Sequence, residues 1–463
     1  MNKNLRKYFL SSILTLLLIQ SFSAFASDLN SINEVLFAEK DLIASITLDK
    51  NSNYKKQMDQ IKSLGFDVAG IDFKNKIVDL AINEFEISIL EKNKFHYIVK
   101  WEERLTRGLS EEYKNPSEIE DILNQWVTDY PSMVTLIEIG KSFEGRTIFG
   151  VKITNPKSQA TYKPNVLFNG MHHAREVMSP EAVLDIGEYL LTNQGDLQVS
   201  TWLNGMNVYL VPMVNVDGNN KVWNGSTMWR KNTNLTYGVD LNRNYPYQWG
   251  ACNGSSGYAS SQTYRGPSVA SEVETQAMMK FVTKIRPVFD ISFHSYSELI
   301  IYPLGCSGQK AKNGAMASVA SLMSQEIMYQ AGTPWELLYG VDGDDIDWMY
   351  TTLNVYPYVI ELNNRKQGFQ PDYKAWRDKT VKRIRPAWKI LLNKTLSEKV
   401  YKGQLSYENI DSVSINVIKN NEVIETYKPH TDGRYNILLN SGTYTLKAVR
   451  GREILETKVI EIK

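Results

Sequence analysis

Short apolar runs alternate with helix-like stretches through the middle of the chain, from residue 109 to about 396. Residues 165–168 and 208–216 are almost continuously apolar, which is typical of strands that are covered on both faces. Strands separated by helices predict an α/β domain with a largely parallel sheet. Helices are predicted at residues 116–127, with Asn115 as the cap and Pro116 in the first turn, at 179–191 and at 373–396.

Two smaller units flank this region. Residues 27–107 predict a small α+β unit, and residues 398–463 predict a small β-sandwich with turns such as Asn440-Ser441-Gly442. In the first unit a strand is expected at 42–48, a helix at 53–64 and strand-like stretches at 73–87 and 95–101. In the second unit strands are expected at 413–418, 434–439, 443–449 and 455–462.

The first 26 residues predict a signal peptide. Three basic residues precede an apolar run at 9–19, and Ala24-Phe25-Ala26 supplies a small-x-small cleavage site. The run is shorter than the roughly 20 residues that a membrane helix needs, and no later segment reaches that length. We therefore expect an exported protein, extracellular or periplasmic, without a membrane span in its mature form; a plain membrane anchor is the alternative.

Composition narrows the partners. With 52 basic and 51 acidic residues, the chain has no basic field that would attract nucleic acid. Cys252 and Cys306 are its two cysteines. In an exported protein such a pair favours one disulfide, and two buried free thiols are the alternative.

Three residues point to a metal. His173 and Glu176 stand three apart, after an apolar strand and the Gly170 turn, and His294 follows the alternating stretch 289–293. Two imidazoles and one carboxylate form the open zinc set that leaves a fourth position for water and substrate. Bound zinc lowers the pKa of its water from above about 15 to roughly 7. The spacing to Glu176 selects His173, so we expect the neighbouring His172 to pack or to bind solvent.

Glu361 is a carboxylate inside the apolar stretch 356–362. A carboxylate in such a strand is costly unless it has a partner or a task. A position on a half-exposed strand is the alternative interpretation.

Together with Trp229-Arg230-Lys231 and Asp240-Leu241-Asn242-Arg243-Asn244, these residues resemble the zinc metallocarboxypeptidases of the carboxypeptidase A/B family, most closely the bacterial carboxypeptidase T branch. The resemblance covers about residues 109–396, and its motifs occur in the family's order. It implies that His173, Glu176 and His294 hold one zinc ion per chain. It also implies that Glu361 is the general base, which takes a proton from the water and returns it to the departing amine.

The same resemblance implies the substrate contacts. Arg230 would stabilise the developing oxyanion. Asn242 and Arg243 would hold the terminal carboxylate of the substrate, because a guanidinium grips a carboxylate through two bonds, and Arg175 would add a secondary contact. Tyr339 would close over the bound terminal residue.

Two residues bear on which terminal residue is released. Ile346 matches the position where members that select apolar residues carry isoleucine, and Asp344 is a departure shared with the carboxypeptidase T branch. Because an aspartate in the pocket would attract Lys or Arg, we expect dual specificity, apolar and basic. An acidic calcium loop is the alternative; its spacing fails the EF-hand pattern, so calcium is possible but not indicated.

We therefore expect a secreted, monomeric zinc carboxypeptidase that acts on peptide and protein C-termini. Its fold should be a three-layer α/β/α sandwich around a mixed, mainly parallel sheet. The expected boundaries are a signal peptide at 1–26, a pro-domain at 27–107 removed by an activating protease near Arg104 or Arg107, the catalytic domain at 108–397 and an accessory β-sandwich at 398–463. A permanent docking domain is the alternative for residues 27–107.

Two rival functions remain open from the sequence. An enzyme of the same scaffold acting on cell-wall peptides or other amides would be expected to lack the Asn242-Arg243 pair. A binding protein without activity would be expected to have lost a metal ligand or Glu361. The chain retains all of these residues.

Overall fold

The structure is a computed structural model that describes residues 42–48, 54–100, 109–160, 162–235 and 237–463. The signal peptide predicted for residues 1–26 and the linker predicted for residues 102–108 lie outside these ranges. Within the described ranges, no helix is both long enough and apolar enough to cross a membrane.

Residues 42–100 form an N-terminal unit, a four-stranded antiparallel sheet with two helices. Its elements are β1 (Leu42–Thr47), α1 (Tyr54–Ser63), β2 (Asp67–Asp72), β3 (Ile77–Ile82), α2 (Glu84–Lys92) and β4 (Tyr97–Lys100), in the sheet order β2-β3-β1-β4. The strand-like stretch predicted at 73–87 is wrong beyond β3. Asn83 and Glu86 form a capping box there, which satisfies backbone amides at the start of α2 and favours a helix.

An eight-stranded mixed sheet forms the centre of the molecule. Its strands are β5 (Val134–Lys141), β6 (Thr147–Ile153), β7 (Asn165–Gly170), β8 (Asn207–Val211), β9 (Phe289–Ser295), β10 (Leu299–Ile301), β11 (Gln330–Gly332) and β12 (Tyr356–Leu362). The sheet order is β11-β10-β12-β9-β7-β8-β6-β5. The inner strands β12, β9, β7 and β8 are parallel, whereas β10 pairs antiparallel with β12 and β6 with β8. The predicted α/β class and mixed sheet are confirmed.

Helices flank this sheet, so β9 is buried at every position. They are α3 (Pro116–Asp129), α4 (Met178–Thr192), α5 (Leu197–Gly205), α6 (Val216–Trp223), α7 (Val273–Ile285), α8 (Ala315–Ile327), α9 (Pro334–Leu337), α10 (Asp345–Leu353) and α11 (Tyr373–Leu396). Trp202 and Trp388 are among the largest fully buried side chains and pack edge to face between α5 and α11. The apolar run predicted as one strand at 208–216 is a strand followed by a turn into α6.

The C-terminal residues form two small sheets around a core of their own. The strands are β13 (Val400–Gln404), β14 (Ser414–Lys419), β15 (Glu422–Tyr427), β16 (Arg434–Leu438), β17 (Gly442–Arg450) and β18 (Glu453–Ile462). One sheet pairs β13 with β16, and the other has the order β15-β14-β17-β18. This C-terminal sandwich contacts the residues that precede β9 and β12, among them Arg286 and Asn354. It therefore lies at the amino ends of the inner strands.

Candidate metal centre and substrate cleft

The turn after β7 positions the first two candidate ligands. Gly170 ends the strand, and a Cβ atom there would come within 3.0 Å of the Ser179 carbonyl oxygen. The Ser179 hydroxyl accepts a hydrogen bond from the Met171 amide (3.0 Å) and donates one to the Glu176 carbonyl oxygen (2.6 Å). The turn is thus fixed at both ends and directs His173 and Glu176 to the carboxyl edge of the sheet.

Strand register brings the remaining residues to the same edge. In the parallel pair β9–β12, His294 lies opposite Glu361, and in β7–β9, Gly170 lies opposite Phe293. Clefts in open α/β sheets form at the carboxyl ends of such strands. His173, His294 and Glu361 therefore meet although they are far apart in the sequence.

The three candidate ligands converge on one point. His173 Nδ1 lies 2.7 Å from Glu176 Oε1, His294 Nδ1 lies 3.0 Å from Glu176 Oε2, and the two Nδ1 atoms are 3.1 Å apart. All three side chains are buried, and in the described part of the chain they are the one group of His, Cys, Asp or Glu whose ligand atoms gather in this way. Two imidazole nitrogens and a carboxylate at such distances fit a bound zinc ion.

The carboxylate of Asp240 supports this centre from behind. It lies 3.2 Å from His173 Nε2 and accepts a hydrogen bond from Arg230 (2.9 Å). Although burial opposes it, Arg230 and His173 hold the pKa of Asp240 well below its usual range. A carboxylate on the outer nitrogen of a ligating histidine fixes its tautomer and orientation. This role was not predicted from the sequence, although Asp240 is the first residue of the motif at residues 240–244.

Electrostatics separate the two glutamates of the site. Although burial opposes it, the imidazoles of His173 and His294 lower the pKa of Glu176. Burial, and then the nearby Glu176 carboxylate, raise the pKa of Glu361 to about 8. Two carboxyl groups with opposite shifts suit two tasks, cation binding and proton transfer.

The arginines surround the same cavity. Arg230, Asn242 and Arg243 line it together with the metal-site residues and Glu361. Asn242 accepts a hydrogen bond from the Asp345 amide (2.9 Å), and Arg243 donates to the Gly254 carbonyl oxygen (3.2 Å). These bonds fix both side chains on one wall of the cleft.

Tyr339, Asp344 and Ile346 line the same cavity, and the Asp345 amide between the last two donates to Asn242. Asp342 accepts hydrogen bonds from the amides of Cys252 and Gly254, both at 2.9 Å. The disulfide that the sequence favoured is confirmed and joins Cys252 to Cys306, with Cα atoms 5.8 Å apart. Carboxylate-to-amide bonds and the disulfide hold this loop in place.

The N-terminal unit occupies the mouth of the cleft. Arg175 is fully buried, stacks on Phe369 and forms an ion pair with Asp67 of β2 at 2.8 Å. The Lys62 ammonium lies over the Tyr339 ring and donates to the carbonyl oxygens of two glycines, 254 and 340. The backbone next to Asp67 approaches so closely that a Cβ atom at position 70 would meet the Tyr296 ring at 2.3 Å.

His172 packs behind the metal site. It is fully buried, lies 3.0 Å from the Tyr245 hydroxyl oxygen and stacks on the His294 ring. The expectation that His172 packs or binds solvent fits this position. Its ring nitrogens are not among the converging ligand atoms.

Comparisons with known proteins agree with this geometry. The zinc carboxypeptidase family profile matches residues 119–393. Zinc carboxypeptidase A 1 of Anopheles gambiae is 34% identical over 279 residues, which are 57% of this chain and 61% of the mosquito protein. Carboxypeptidase B of Bos taurus is 30% identical over 287 residues, covering 58% of this chain and 67% of the bovine protein. The match thus spans about three fifths of the length of the mosquito relative.

Solved structures agree on the fold. The crystal structure of carboxypeptidase A from Helicoverpa armigera has a TM-score of 0.66 at 22% identity and covers 76% of this chain and 96% of its own. Thrombin activatable fibrinolysis inhibitor has a TM-score of 0.65 at 24% identity, with 77% and 98% covered. The zinc that the residues fit is also the metal in the family's description. The chain belongs to the zinc carboxypeptidase family.

Proposed function

We propose that this chain is a secreted zinc carboxypeptidase that removes single residues from the C-termini of peptides and proteins. The observation that carries the proposal is one cavity that holds the His173, Glu176 and His294 donors, Glu361 and three cleft-wall side chains able to bind anions. Zinc, when bound by the three donors, would polarise the scissile carbonyl and lower the pKa of the attacking water.

Glu361 and Arg230 carry out the chemical step in this proposal. Glu361 takes the proton from the attacking water and delivers it to the departing amine, a role that a raised pKa favours near neutral pH. Arg230, held by Asp240, donates to the oxyanion that forms on the scissile carbonyl. Its orientation is fixed before the substrate binds, so little reorganisation is needed.

Asn242 and Arg243 bind the terminal carboxylate of the substrate, and this contact restricts the enzyme to C-terminal bonds. Arg175 adds a second carboxylate contact, since its guanidinium already pairs with the carboxylate of Asp67. Tyr339 covers the bound residue. Ile346 and Asp344 line the pocket for its side chain, which supports release of apolar and basic residues.

The N-terminal unit keeps the enzyme latent in this proposal. Asp67, Lys62 and the backbone around position 70 fill the mouth of the cleft, so a peptide cannot reach Glu361 while the unit is docked. An activating protease would cleave in residues 102–108 and release the unit. Export, which residues 1–26 predict, agrees with the Cys252–Cys306 disulfide, because disulfides persist in oxidising compartments.

The test uses the full chain before and after tryptic cleavage in residues 102–108. Blocked dipeptides ending in Phe, Arg and Glu are supplied with a free or an amidated C-terminus, with and without a zinc chelator. We expect chelator-sensitive release of Phe and Arg after cleavage, and no release from Glu or amidated substrates. The Glu361→Gln variant should retain zinc and lose turnover.

Each other result would contradict a defined part of the proposal. Cleavage of the amidated peptides would argue against the carboxylate clamp and favour an endopeptidase or amidase. An absence of cleavage with zinc bound would favour a binding protein. Substantial activity of Glu361→Gln would exclude Glu361 as the base, and full activity of the uncleaved chain would exclude latency.

A further inference from the structure

Arg365 lies in the loop that follows β12 and faces the N-terminal unit. Its Nε and Nη2 atoms donate to the two carboxylate oxygens of the buried Asp79 in β3, at 2.9 and 2.8 Å. Nη2 also donates to the Ser45 hydroxyl of β1 (2.8 Å). Two parallel N–H donations are the strong, bidentate form of a guanidinium–carboxylate pair. Arg365 is therefore placed and oriented to bind a carboxylate group.

Asp79 keeps partners of its own when the N-terminal unit leaves, whereas Arg365 does not. Lys100 of β4 lies 3.3 Å from the Asp79 carboxylate, and the Ser45 hydroxyl donates to it at 2.6 Å. Every hydrogen bond and ion pair that Arg365 makes in the described part of the chain goes to the N-terminal unit. Departure of the unit thus leaves this guanidinium without a partner among the described residues.

Tyr296 and Ser297 connect Arg365 with the cleft. Tyr296 lines the cleft and donates its hydroxyl to Asp79 at 3.3 Å. Ser297 lines both the cleft and a second groove, and Arg365 lies in the wall of that groove. The Ser297 hydroxyl accepts a hydrogen bond from the Ile71 amide of β2 (3.0 Å). The N-terminal unit therefore runs from the cleft over Ser297 to Arg365, and an extended peptide can follow the same course.

The second groove leads away from the pocket for the terminal residue. Arg243, Tyr339 and Ile346 line the cleft but not this groove. In the proposed function the terminal residue lies against those side chains, so the rest of the peptide has to leave the cleft on another side. The groove beyond Ser297 is such an exit, and Arg365 in its wall is positioned to contact residues upstream of the bond that is cut.

The wall of the groove that remains after the unit leaves carries a net positive charge. Its charged side chains are those of Arg365, Lys366 and Glu298. The Glu298 carboxylate accepts a hydrogen bond from Arg383 (2.5 Å), so its charge is already compensated. Two cations and one compensated anion favour an anionic segment of peptide.

We propose that Arg365 binds an acidic side chain, Asp or Glu, in the part of the substrate upstream of the scissile bond, and that Asp79 occupies this site in the uncleaved chain. The inference rests on the proposed function, because a peptide reaches Arg365 only if its terminal residue lies in the cleft and the N-terminal unit has left. Arg365 determines specificity in this proposal and does not contact the reacting atoms. The enzyme should therefore favour acidic sequences before the residue that it releases.

The test compares blocked pentapeptides that end in Phe and carry either Glu or Gln at one of the four preceding positions, with Ala at the others. The protein is the zinc-loaded full chain after cleavage in residues 102–108, and the measurement is the ratio of kcat/KM for each Glu/Gln pair. Chains that keep the N-terminal unit docked lower both rates alike and cancel in the ratio. Because a hydrogen bond between charged groups is stronger than one to a neutral amide, we expect a ratio of roughly five to ten at one position.

Substitutions of Arg365 assign the preference. Arg365→Gln should bring the highest ratio close to one. Arg365→Lys keeps the charge but not the paired donors, so it should give an intermediate ratio. Arg452 is exposed in the C-terminal sandwich, and Arg452→Gln is the matched control that loses the same charge. The control should follow the unmodified chain, and a preference that Arg175 caused instead would remain in Arg365→Gln.

Salt dependence provides a test that needs no substitution. Exposed charges interact over about 14 Å or less at 0.05 M salt but only over about 3 Å at 1 M, so the ratio should fall several-fold over this range of sodium chloride. If Arg365→Gln does not fold, this fall and the intermediate ratio of Arg365→Lys still decide the outcome. A ratio that salt leaves unchanged would contradict an ionic contact.

A readout without turnover separates this inference from the proposed function. The same peptides are titrated into zinc-loaded Glu361→Gln chain by calorimetry, and the Glu peptides should bind more tightly. Release of Phe with every Glu/Gln ratio close to one, or with a preference that Arg365→Gln leaves in place, would overturn the inference and leave the reaction standing; Arg365 would then serve only to dock the N-terminal unit. Tighter binding of Glu peptides without hydrolysis by the unmodified chain would uphold the site and overturn the reaction. Peptides that neither bind nor react would overturn both.

Discussion

The N-terminal unit and the C-terminal sandwich both pack on the central α/β domain, but they dock at opposite ends of its sheet. The N-terminal unit enters the cleft at the carboxyl ends of the strands with the Asp67–Arg175 ion pair. The sandwich lies at the amino ends. There the buried Glu425 accepts hydrogen bonds from Tyr356 (3.1 Å) and Asn313 (2.5 Å).

The two interfaces also differ in their apolar packing. The main hydrophobic core includes Val400 and Leu438 of the sandwich but no residue of the described N-terminal unit. That unit has its own core, against which Leu338 and Tyr339 pack, and it shares a small cluster with the central α/β domain, in which Ala69 packs with Tyr296 and Phe369. A unit that shares the main core cannot leave without exposing it, whereas a unit held by charged pairs and a small patch can. The contrast supports a removable N-terminal unit and a permanent sandwich.

The largest effect should come from breaking the Asp67–Arg175 ion pair. Asp67→Asn leaves the buried Arg175 guanidinium without a counter-charge while the unit is docked, and removing one partner of a buried pair costs about 3–5 kcal/mol. Docking should weaken by roughly 10² to 10⁴. The uncleaved variant should therefore hydrolyse blocked dipeptides, which is measured against the uncleaved parent chain.

Asp59→Asn is the matched control, since Asp59 is exposed on α1 of the same unit. It should leave the uncleaved chain latent. If the uncleaved Asp67→Asn variant is as inactive as the uncleaved parent, the Asp67–Arg175 ion pair does not keep the unit docked. The apolar cluster would then hold it in the cleft.

The next effect concerns stability and leaves activity unchanged. Glu425→Ala removes the acceptor for the Tyr356 hydroxyl and the Asn313 amide and opens a cavity at the sandwich interface, so unfolding should become easier by about 2–4 kcal/mol. Thermal unfolding followed by calorimetry measures the change. The value of kcat/KM of the cleaved enzyme should not change, because the interface lies at the far end of the strands.

Glu422→Ala provides the control. Glu422 forms an exposed ion pair with Lys312, and such pairs contribute about 0–1 kcal/mol. Equal unfolding of both variants would mean that the hydrogen bonds of Glu425 do not stabilise the fold. A lower kcat/KM of Glu425→Ala would mean that the sandwich interface affects the cleft.

The candidate site was largely predictable because its polar residues stand out within or directly after apolar strands. His173, His294 and Glu361 follow or end apolar strands, and strand ends of an α/β sheet meet at one edge. Asp240 was not predicted as the partner of His173, since a carboxylate in a loop motif carries no signal of the ring that it faces. Asp67 and Lys62 were missed for a stronger reason. Their partners lie in another folding unit. The spacing of apolar and polar residues predicts helices and strands, but it does not predict how two units pack against each other.

The fold was predictable where the apolar pattern was clean. The helix predicted from Tyr373 to about Leu396 is confirmed as α11. Two strands of the sandwich were missed. Gly403 weakens the strand signal in β13, and the apolar positions of β15 are few and partly exposed. In both strands, pairing with a neighbour completes what the local sequence only weakly favours.

A smaller effect is the pH dependence of the sandwich interface. Burial raises the pKa of Glu425 to about 7, so the folded state holds this proton more tightly than the unfolded chain does. Stability from this group is therefore greatest in acid and falls as the pH rises from about 4.5 to 7, by at most about 3 kcal/mol. Unfolding midpoints across this range should show the fall in the parent chain and a reduced fall in Glu425→Gln.

The smallest expected effect of a substitution is at Lys62, and the pH dependence there has the opposite sign to that of Glu425. Burial, and then the nearby Arg243, lower the pKa of Lys62 to about 7, so the released unit binds this proton more tightly than the docked unit does. Docking should therefore strengthen as the pH rises from about 7 towards 10.5, whereas the stability that Glu425 contributes falls as the pH rises from about 4.5 to 7. Lys62→Met keeps the aliphatic stem over Tyr339 and loses two hydrogen bonds, a change of about 1 kcal/mol.

Activity alone cannot separate docking of the N-terminal unit from cleavage of the linker. The measurement is therefore the fraction of the cleaved N-terminal unit that co-elutes with the central α/β domain at pH 7 and pH 9. A fraction that rises with pH in the parent chain and stays level in Lys62→Met would assign the effect to this ammonium, and an equal rise in both would assign it elsewhere.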